Sequence, residues 1–312
     1  MRRLAVIHHR HQDWVPALRE AEPRLDIRGW HPQEAGDGDW LREAEGLFVW
    51  KIPAGLLARM PRLAWIQNSG AGVDHLVGDP GIPPGVPITR ADGQFGFWMA
   101  RYVAGHLLAE AQRLEECRQA QRDHAWVART LPEDLTGRKA LVVGFGRIGR
   151  QIGRALRELG LEVHGFVQHP REDPEFPLYG MEELHRWLPE ARALVLCAPL
   201  TPATRNLLDF HLLAHGNPDL TLFNVGRGEQ VVVPDLLAAL DMGRLGRAVL
   251  DVFAGEPLEP GSPLWDHPRV TVTPHHSGPS TPRAMIPDLL PNLRRFAAGE
   301  PILDGVDRVR GY

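Results

Sequence analysis

The chain has 312 residues, 43% hydrophobic and 24% charged, with a formal net charge of −4. That is ordinary for a globular protein long enough for two domains, and no run of like charges marks a nucleic-acid surface. Two cysteines, Cys117 and Cys197, are too few for a disulfide framework and suit a reducing compartment. After Met1-Arg2-Arg3 no apolar run reaches the roughly 7–15 residues of a secretory leader. None approaches the roughly 20 of a membrane span. A cytoplasmic protein is expected, with neither membrane nor nucleic acid as partner. His8, His9 and His11 lack the partner spacing of a zinc site, so no metal is expected.

Along the chain, short apolar runs alternate with helical patterns. Residues 4–8, 46–50 and 63–67 predict strands, with helical segments at 16–21 and 54–60. The Gly- and Pro-rich stretch 78–87 reads as a domain boundary, and a long helical pattern follows over 97–118. Strands are then predicted at 140–143, Glu162–Val167, 193–197, 220–224, 248–251 and 270–273. A last helix covers 285–298, expected to break or bend near Pro287 and Pro291. Strands separated by helices of about ten or more residues mean parallel sheets built by right-handed crossovers. The expected organisation is α/β: a discontinuous domain of residues 1–92 and 281–312, and a cofactor domain of residues 93–280.

The predicted strand at 140–143 runs into Gly144-Phe145-Gly146-Arg147-Ile148-Gly149, a G-x-G-x-x-G in the strand-to-helix context that gives the motif its meaning. Ile148, Ile152, Leu156 and Leu159 follow at helical spacing. Gly144 permits the tight turn, Gly146 lets the backbone approach a pyrophosphate, and Gly149 lets helix and strand pack closely. The helix N-terminus then offers free N–H groups to phosphate. NAD recognition normally places an acid about 20 residues on, at the tip of the second strand. Here that tip is Gln168-His169-Pro170-Arg171, with no acid. Gln168 and Arg171 are therefore expected at the ribose, and NADP is preferred to NAD. Glu172 and Asp173 follow directly and would oppose a phosphate if they pointed the same way.

Three later segments each end a predicted strand with reactive residues: Asn224-Val225-Gly226-Arg227-Gly228, Asp251-Val252-Phe253-Ala254-Gly255-Glu256-Pro257, and Thr273-Pro274-His275-His276-Ser277-Gly278. Open parallel sheets bind ligands outside the carboxyl ends of their strands, so these should converge. Together with Ser69-Gly70-Ala71-Gly72-Val73-Asp74, Pro199-Leu200-Thr201-Pro202 and the tail Val306-Asp307-Arg308-Val309-Arg310-Gly311-Tyr312, they resemble the D-isomer-specific 2-hydroxyacid dehydrogenase family. The likeness spans the whole chain and is strongest to the branch acting on glyoxylate and hydroxypyruvate.

The resemblance implies two Rossmann-like doubly wound parallel-sheet domains with the active site in the cleft between them. It implies NAD(P)H-dependent reduction of a small 2-keto acid, glyoxylate to glycolate or hydroxypyruvate to glycerate. Arg227 matches the arginine that grips the substrate carboxylate, His275 the acid/base residue, and Glu256 the acid that pairs with it. Cofactor contacts carry over to Arg147 and Ile148, to Ala198 and Pro199 near the adenosine, and to Val225, Gly226 and Arg227. Asp251 and His275 complete them on the nicotinamide side, Asp251 at the carboxamide. The backbone N–H groups of Ala71, Gly72 and Val73 match a carboxylate clamp, with Trp50 and Lys51 nearby. A homodimer joined through the cofactor domains is implied, helped by the 97–118 helix. Many relatives have Glu where this chain has Arg101. Other readings stand beside this one: a catalytically weak NAD(P)-sensing binding protein, a reductase of another small 2-keto acid, and an enzyme on a related scaffold such as a formate or phosphite dehydrogenase.

Overall fold

The computed structural model describes residues 1–34, 38–91, 94–128, 131–309 and 311. The chain divides into two compact units, Met1–Phe95 with Pro279–Tyr312, and Gly96–Gly278. The cuts thus fall at 95/96 and 278/279, where the sequence places them at 92/93 and 280/281. The stretch 78–87 is not a boundary but lies inside the first unit.

In the first unit β1 (Arg3–Ile7), β2 (Asp26–Trp30), β3 (Gly46–Val49), β4 (Trp65–Asn68) and β5 (Ile88–Thr89) form a wholly parallel sheet of order β2-β1-β3-β4-β5. Alternate residues cover opposite faces. Ala5, Ile7, Leu47, Val49 and Ile66 pack on one side. On the other, Trp14 stacks on Phe48 and Phe296 on Trp65, with ring centroids 4.6 and 5.1 Å apart. The expected helix at 54–60 is a single 3-10 turn, Leu57–Arg59. The terminal helix Pro282–Ala298 runs unbroken through Pro287 and Pro291. Burial of Met285, Leu289, Leu293 and Phe296 outweighs the two hydrogen bonds that the prolines forgo.

The second unit holds β6 (Lys139–Val143), β7 (Glu162–Val167), β8 (Leu178–Gly180), β9 (Ala191–Leu196), β10 (Thr221–Asn224), β11 (Arg247–Leu250) and β12 (Val270–Val272), all parallel, in the order β12-β11-β10-β9-β6-β7-β8. This is the doubly wound order, with its switch point between β6 and β9. Ala140 and Val142 face one apolar cluster, Leu141 and Val143 the other, as a sheet covered on both faces requires. The long helix expected over 97–118 is two helices, Phe95–Ala111 and Leu114–Arg122, parted where Arg113 takes a left-handed φ of 54°. Among the described residues no helix is long and apolar enough to cross a membrane.

Candidate active site

β6 delivers the chain into the glycine turn at the switch point. Gly144 has φ +94°, and a Cβ there would come within 2.4 Å of the Ala198 backbone. A Cβ on Gly149 would lie 2.2 Å from the Gly144 carbonyl oxygen, so both positions need glycine for internal packing. Gly146 differs, because a Cβ there would meet nothing within 4 Å. Gly146 also caps the helix Arg147–Glu158, and no side chain closes that end. Open space against an uncapped helix N-terminus fits a pyrophosphate. Arg147 is exposed at the mouth, while Ile148 turns onto the core. Cys197 lies behind the turn with its thiol on the Val143 and Gly144 carbonyls; burial pushes it up to about 12, so it stays a protonated packing group.

At the tip of β7, Gln168, His169 and Arg171 are exposed, as is Glu172. Asp173 points back into the fold. It accepts from Arg150 Nη1 at 3.0 Å and from Nη2, and from the backbone N–H of Glu175 and Phe176 at 3.1 Å each. Glu175 is held in turn by Arg154 and Arg157. The Arg150 hydrogen bonds hold the Asp173 carboxyl well below the ordinary carboxylate range, and Arg154 does the same for Glu175, down to about 2. Asp173, the acid feared from the sequence as an opponent of phosphate, is thus neutralised within the fold.

The loop after β10 is built around two buried amides. Asn224 Nδ2 donates to the Arg227 carbonyl at 2.9 Å and its Oδ1 accepts from Gly226 N–H at 3.1 Å. Gln230 Oε1 accepts from Arg227 N–H at 3.1 Å, and its Nε2 donates to the carbonyls of Ala198 and Pro199 at 3.3 and 3.5 Å. Thr204 closes the other side on the Pro199 carbonyl at 2.7 Å. Val225 is buried against the sheet. Arg227 donates from Nη1 to the Gly226 carbonyl at 2.8 Å, and a Cβ on Gly228 would strike the Phe253 backbone at 1.9 Å. The arginine loop and the Glu256 loop are therefore packed against each other.

Glu256 and His275 meet. His275 Nδ1 lies 2.8 Å from Glu256 Oε2, while Glu256 Oε1 accepts from Phe253 N–H at 3.0 Å. Because a carboxylate only accepts, Nδ1 carries a proton in this pair. Burial would raise the Glu256 carboxyl. The hydrogen bonds from His275 and Phe253, with the charges of His275 and Arg227, hold it below its ordinary value instead. Arg227, Glu256 and His275 are thus brought into one electrostatic neighbourhood. His275 has a left-handed φ of 50°, and its N–H donates to the carbonyls of Asp251 and Thr273 at 2.9 and 3.1 Å.

Asp251, expected at the carboxamide, is engaged within the fold. It is fully buried. Its Oδ1 accepts from Thr273 Oγ1 at 2.6 Å and His276 N–H at 3.0 Å, and its Oδ2 from Ser277 N–H at 2.9 Å. It clamps the loop that carries His275. Asn224, Gln230 and Thr273 were not singled out from the sequence; a buried polar residue at a strand end beside each reactive one was the available signal.

In the first unit Asn68 Nδ2 donates to the carbonyls of Gly70 and Gly72 at 2.9 and 2.7 Å, and Ser280 Oγ to that of Ser69 at 2.9 Å. A Cβ on Gly70 would come within 2.3 Å of the Trp50 ring, so this glycine is needed for close approach. His75 Nε2 contacts the Trp50 carbonyl, with the two rings 4.5 Å apart. Lys51 is exposed. The loop that carries Ala71, Gly72 and Val73 is thus held through the carbonyls of Ser69, Gly70 and Gly72.

A glycine turn at a switch point, with an arginine and a histidine–carboxylate pair on neighbouring strand ends, is the equipment of a dinucleotide-dependent dehydrogenase. The family model described as D-isomer specific 2-hydroxyacid dehydrogenase, NAD binding domain, matches residues 104–277. The glyoxylate/hydroxypyruvate reductase A of Serratia proteamaculans is 32% identical over 309 residues, 96% of each chain. Among solved structures, a D-isomer specific 2-hydroxyacid dehydrogenase from Xanthobacter autotrophicus in complex with NADPH and MES is similar, with a TM-score of 0.89, 36% identity and 99% of each chain covered. An NADPH-dependent glyoxylate/hydroxypyruvate reductase from Sinorhizobium meliloti, in complex with NADP and sulfate, has a TM-score of 0.89 and 30% identity over 100% of each chain. The chain belongs to the D-isomer specific 2-hydroxyacid dehydrogenase family.

Proposed function

We propose that the protein is an NADPH-dependent reductase of a small 2-keto acid, glyoxylate or hydroxypyruvate, with His275 as the acid/base. The 2.8 Å His275–Glu256 contact beside Arg227 carries this reading, because it pairs an imidazole with a carboxylate next to an arginine, the set of groups that proton exchange with a keto acid requires. The names of the Serratia and Sinorhizobium relatives support the substrates. NADPH, when bound, supplies the hydride. Gly144, Gly146, Gly149, Arg147 and Ile148 would hold its pyrophosphate, Gln168 and Arg171 its adenosine ribose, and Ala198, Pro199, Val225 and Gly226 the remainder.

The guanidinium of Arg227 grips the substrate carboxylate and polarises the adjacent carbonyl. The same reading assigns the N–H groups of Ala71, Gly72 and Val73, with Trp50 and Lys51, to the substrate. Protonated His275 gives its Nε2 proton to the carbonyl oxygen as the hydroxy acid forms. Glu256 keeps Nδ1–H in place throughout. In the reverse direction neutral Nε2 takes the proton back.

A sensing protein would bind NADPH without turnover, and an enzyme for another substrate would ignore glyoxylate. NADPH oxidation measured with glyoxylate, hydroxypyruvate and longer 2-keto acids separates all three. Turnover with none of them would end the reductase reading. The reading includes a cytoplasmic homodimer joined through the cofactor unit. Leu114 and Trp126, the latter 95% exposed, leave apolar surface there, and Arg101 stacks on Phe97 at 3.8 Å.

A further inference from the structure

We infer that Tyr102 is a positioning residue for the reaction, setting the place of His275 through a hydrogen-bonded chain of Thr273 and Asp251. The inference rests on His275 being the acid/base. Tyr102 lies on the helix Phe95–Ala111, 171 residues from Thr273 in sequence, yet its hydroxyl is 2.7 Å from Thr273 Oγ1. A threonine hydroxyl has one proton, and at 2.6 Å it is given to Asp251 Oδ1. Thr273 can then only accept from Tyr102, so the chain is directed: Tyr102 donates to Thr273, and Thr273 to Asp251.

Asp251 spends its remaining acceptor positions on the two N–H groups that immediately follow His275, those of His276 and Ser277. The Asp251 carbonyl takes the His275 N–H itself. Three consecutive backbone N–H groups are therefore fixed by one buried residue. His275 is the first of the three, with φ 50°, a conformation a non-glycine residue keeps only where its surroundings impose it. Thr273 is the far support of that clamp, and Tyr102 is what orients the Thr273 hydroxyl.

The tyrosine is suited to a fixed donor role. Burial pushes its phenol well up, and the Asp251 charge pushes the same way against the Thr273 hydrogen bond, so it keeps its proton at any working pH. Its ring is wedged between His106, at 4.6 Å, and His276, at 5.8 Å. Burial, then the charge of His276, holds the His106 imidazole below its ordinary value against the charge of Asp251.

Tyr102→Phe removes the hydroxyl and keeps the ring packing. The expected result is a fall of about ten-fold in kcat, the size of a sub-ångström misplacement of an acid, with the KM for keto acid and the Kd for NADPH by fluorescence titration within two-fold. A purely structural tyrosine would lower Tm and leave kcat per folded molecule alone. Thr273→Val should lose a similar factor, and Thr273→Ser, which keeps the hydroxyl, should retain most of the rate. The double variant Tyr102→Phe with Thr273→Val should be little worse than either alone, because both cut one chain. Wild-type kcat in Tyr102→Phe, or a loss confined to NADPH binding, overturns the inference. Should Tyr102→Phe not fold, the Thr273 pair decides on the same terms. A His275→Gln enzyme of nearly full activity would instead overturn the acid/base reading beneath it.

Discussion

The two flanks of the seven-stranded sheet solve their tasks differently. At the β10–β12 side, Arg227 and His275 stand on polar residues that are themselves almost wholly buried: Asn224, Gln230 and Asp251. At the β7 side, Gln168, His169 and Arg171 are exposed, and the loop behind them is tied by ion pairs of long arginine side chains, half-buried at Arg150–Asp173 and more exposed at Arg154–Glu175. The difference matches what the proposed function asks of each flank. Proton transfer demands placement within a fraction of an ångström, which buried, fully satisfied hydrogen bonds enforce. Recognition of a phosphate by a cation tolerates more slack. Substitutions on the first flank should therefore act on kcat steeply, and those on the second should tune cofactor choice in graded steps.

The largest effect is expected at His275. His275→Gln should cost about two to four orders of magnitude in kcat, the usual worth of a positioned acid or base, with NADPH affinity little changed. Under the proposed mechanism, reduction needs the protonated ring and oxidation the neutral one. kcat/KM should therefore fall with rising pH for glyoxylate reduction and rise for glycolate oxidation. Glu256, held below its ordinary value, stays ionised across that range and adds no second limb. Parallel profiles in the two directions would show that another group carries the proton.

Next comes Gln230, whose side chain joins the Arg227 backbone to Ala198 and Pro199. Gln230→Ala leaves those buried groups unsatisfied, costing about 1–3 kcal/mol in chemical denaturation. It also frees the arginine loop, for a loss of about ten-fold or more in kcat/KM. Stability lost without a change in kcat/KM would separate anchoring from function and weaken the contrast between the flanks.

How far the sequence reaches follows the same division. The glycine turn was legible because backbone demands are local: a positive φ at Gly144 and close packing at Gly149 leave glycines at fixed spacing. The central strands were legible as apolar runs buried on both faces. β2, Asp-Ile-Arg-Gly-Trp, was not, because it is an edge strand in which only Ile27 is buried. β5 and β8, of two and three residues, are too short to show a period. Arg227, Glu256 and His275 were legible through family resemblance, whereas the link from Tyr102 to Thr273 spans 171 residues and leaves no local pattern. The Asp173–Arg150 pair likewise joins a loop to a helix 23 residues back. Spacing showed that acids follow β7, not which way they turn.

On the β7 flank the expected effects are smaller. Arg171→Ala should lower kcat/KM with NADPH about ten-fold, the worth of one charge-assisted hydrogen bond, and leave NADH within about two-fold. Equal losses with both cofactors would mean that Arg171 does not read the 2′-phosphate.

The smallest effect, and the sharpest test of graded tuning, lies at Asp173. Asp173→Asn removes the charge that holds Arg150 while nearly keeping its shape. In the wild type the Arg150 hydrogen bonds hold Asp173 far below the ordinary carboxylate value, and those of Arg154 hold Glu175 at about 2. A carboxyl lowered by folding stabilises the native state above its unfolded value, and that stabilisation is lost as pH falls through the folded one. The wild type should therefore exceed Asp173→Asn in Tm at pH 7 by about 2 °C. The gap should begin to close below the ordinary Asp value of 3.8 and continue to shrink towards the acid end. Released from Asp173, Arg150 would be a second cation beside the loop after β7, to which the proposed function assigns the ribose. The preference for NADPH over NADH, read as a ratio of kcat/KM, should rise by about two- to three-fold, a step of well under 1 kcal/mol. A fall in that ratio would show that the Asp173 bridge holds Arg171 in its phosphate-reading place, and the β7 flank would then be as tightly anchored as the catalytic one.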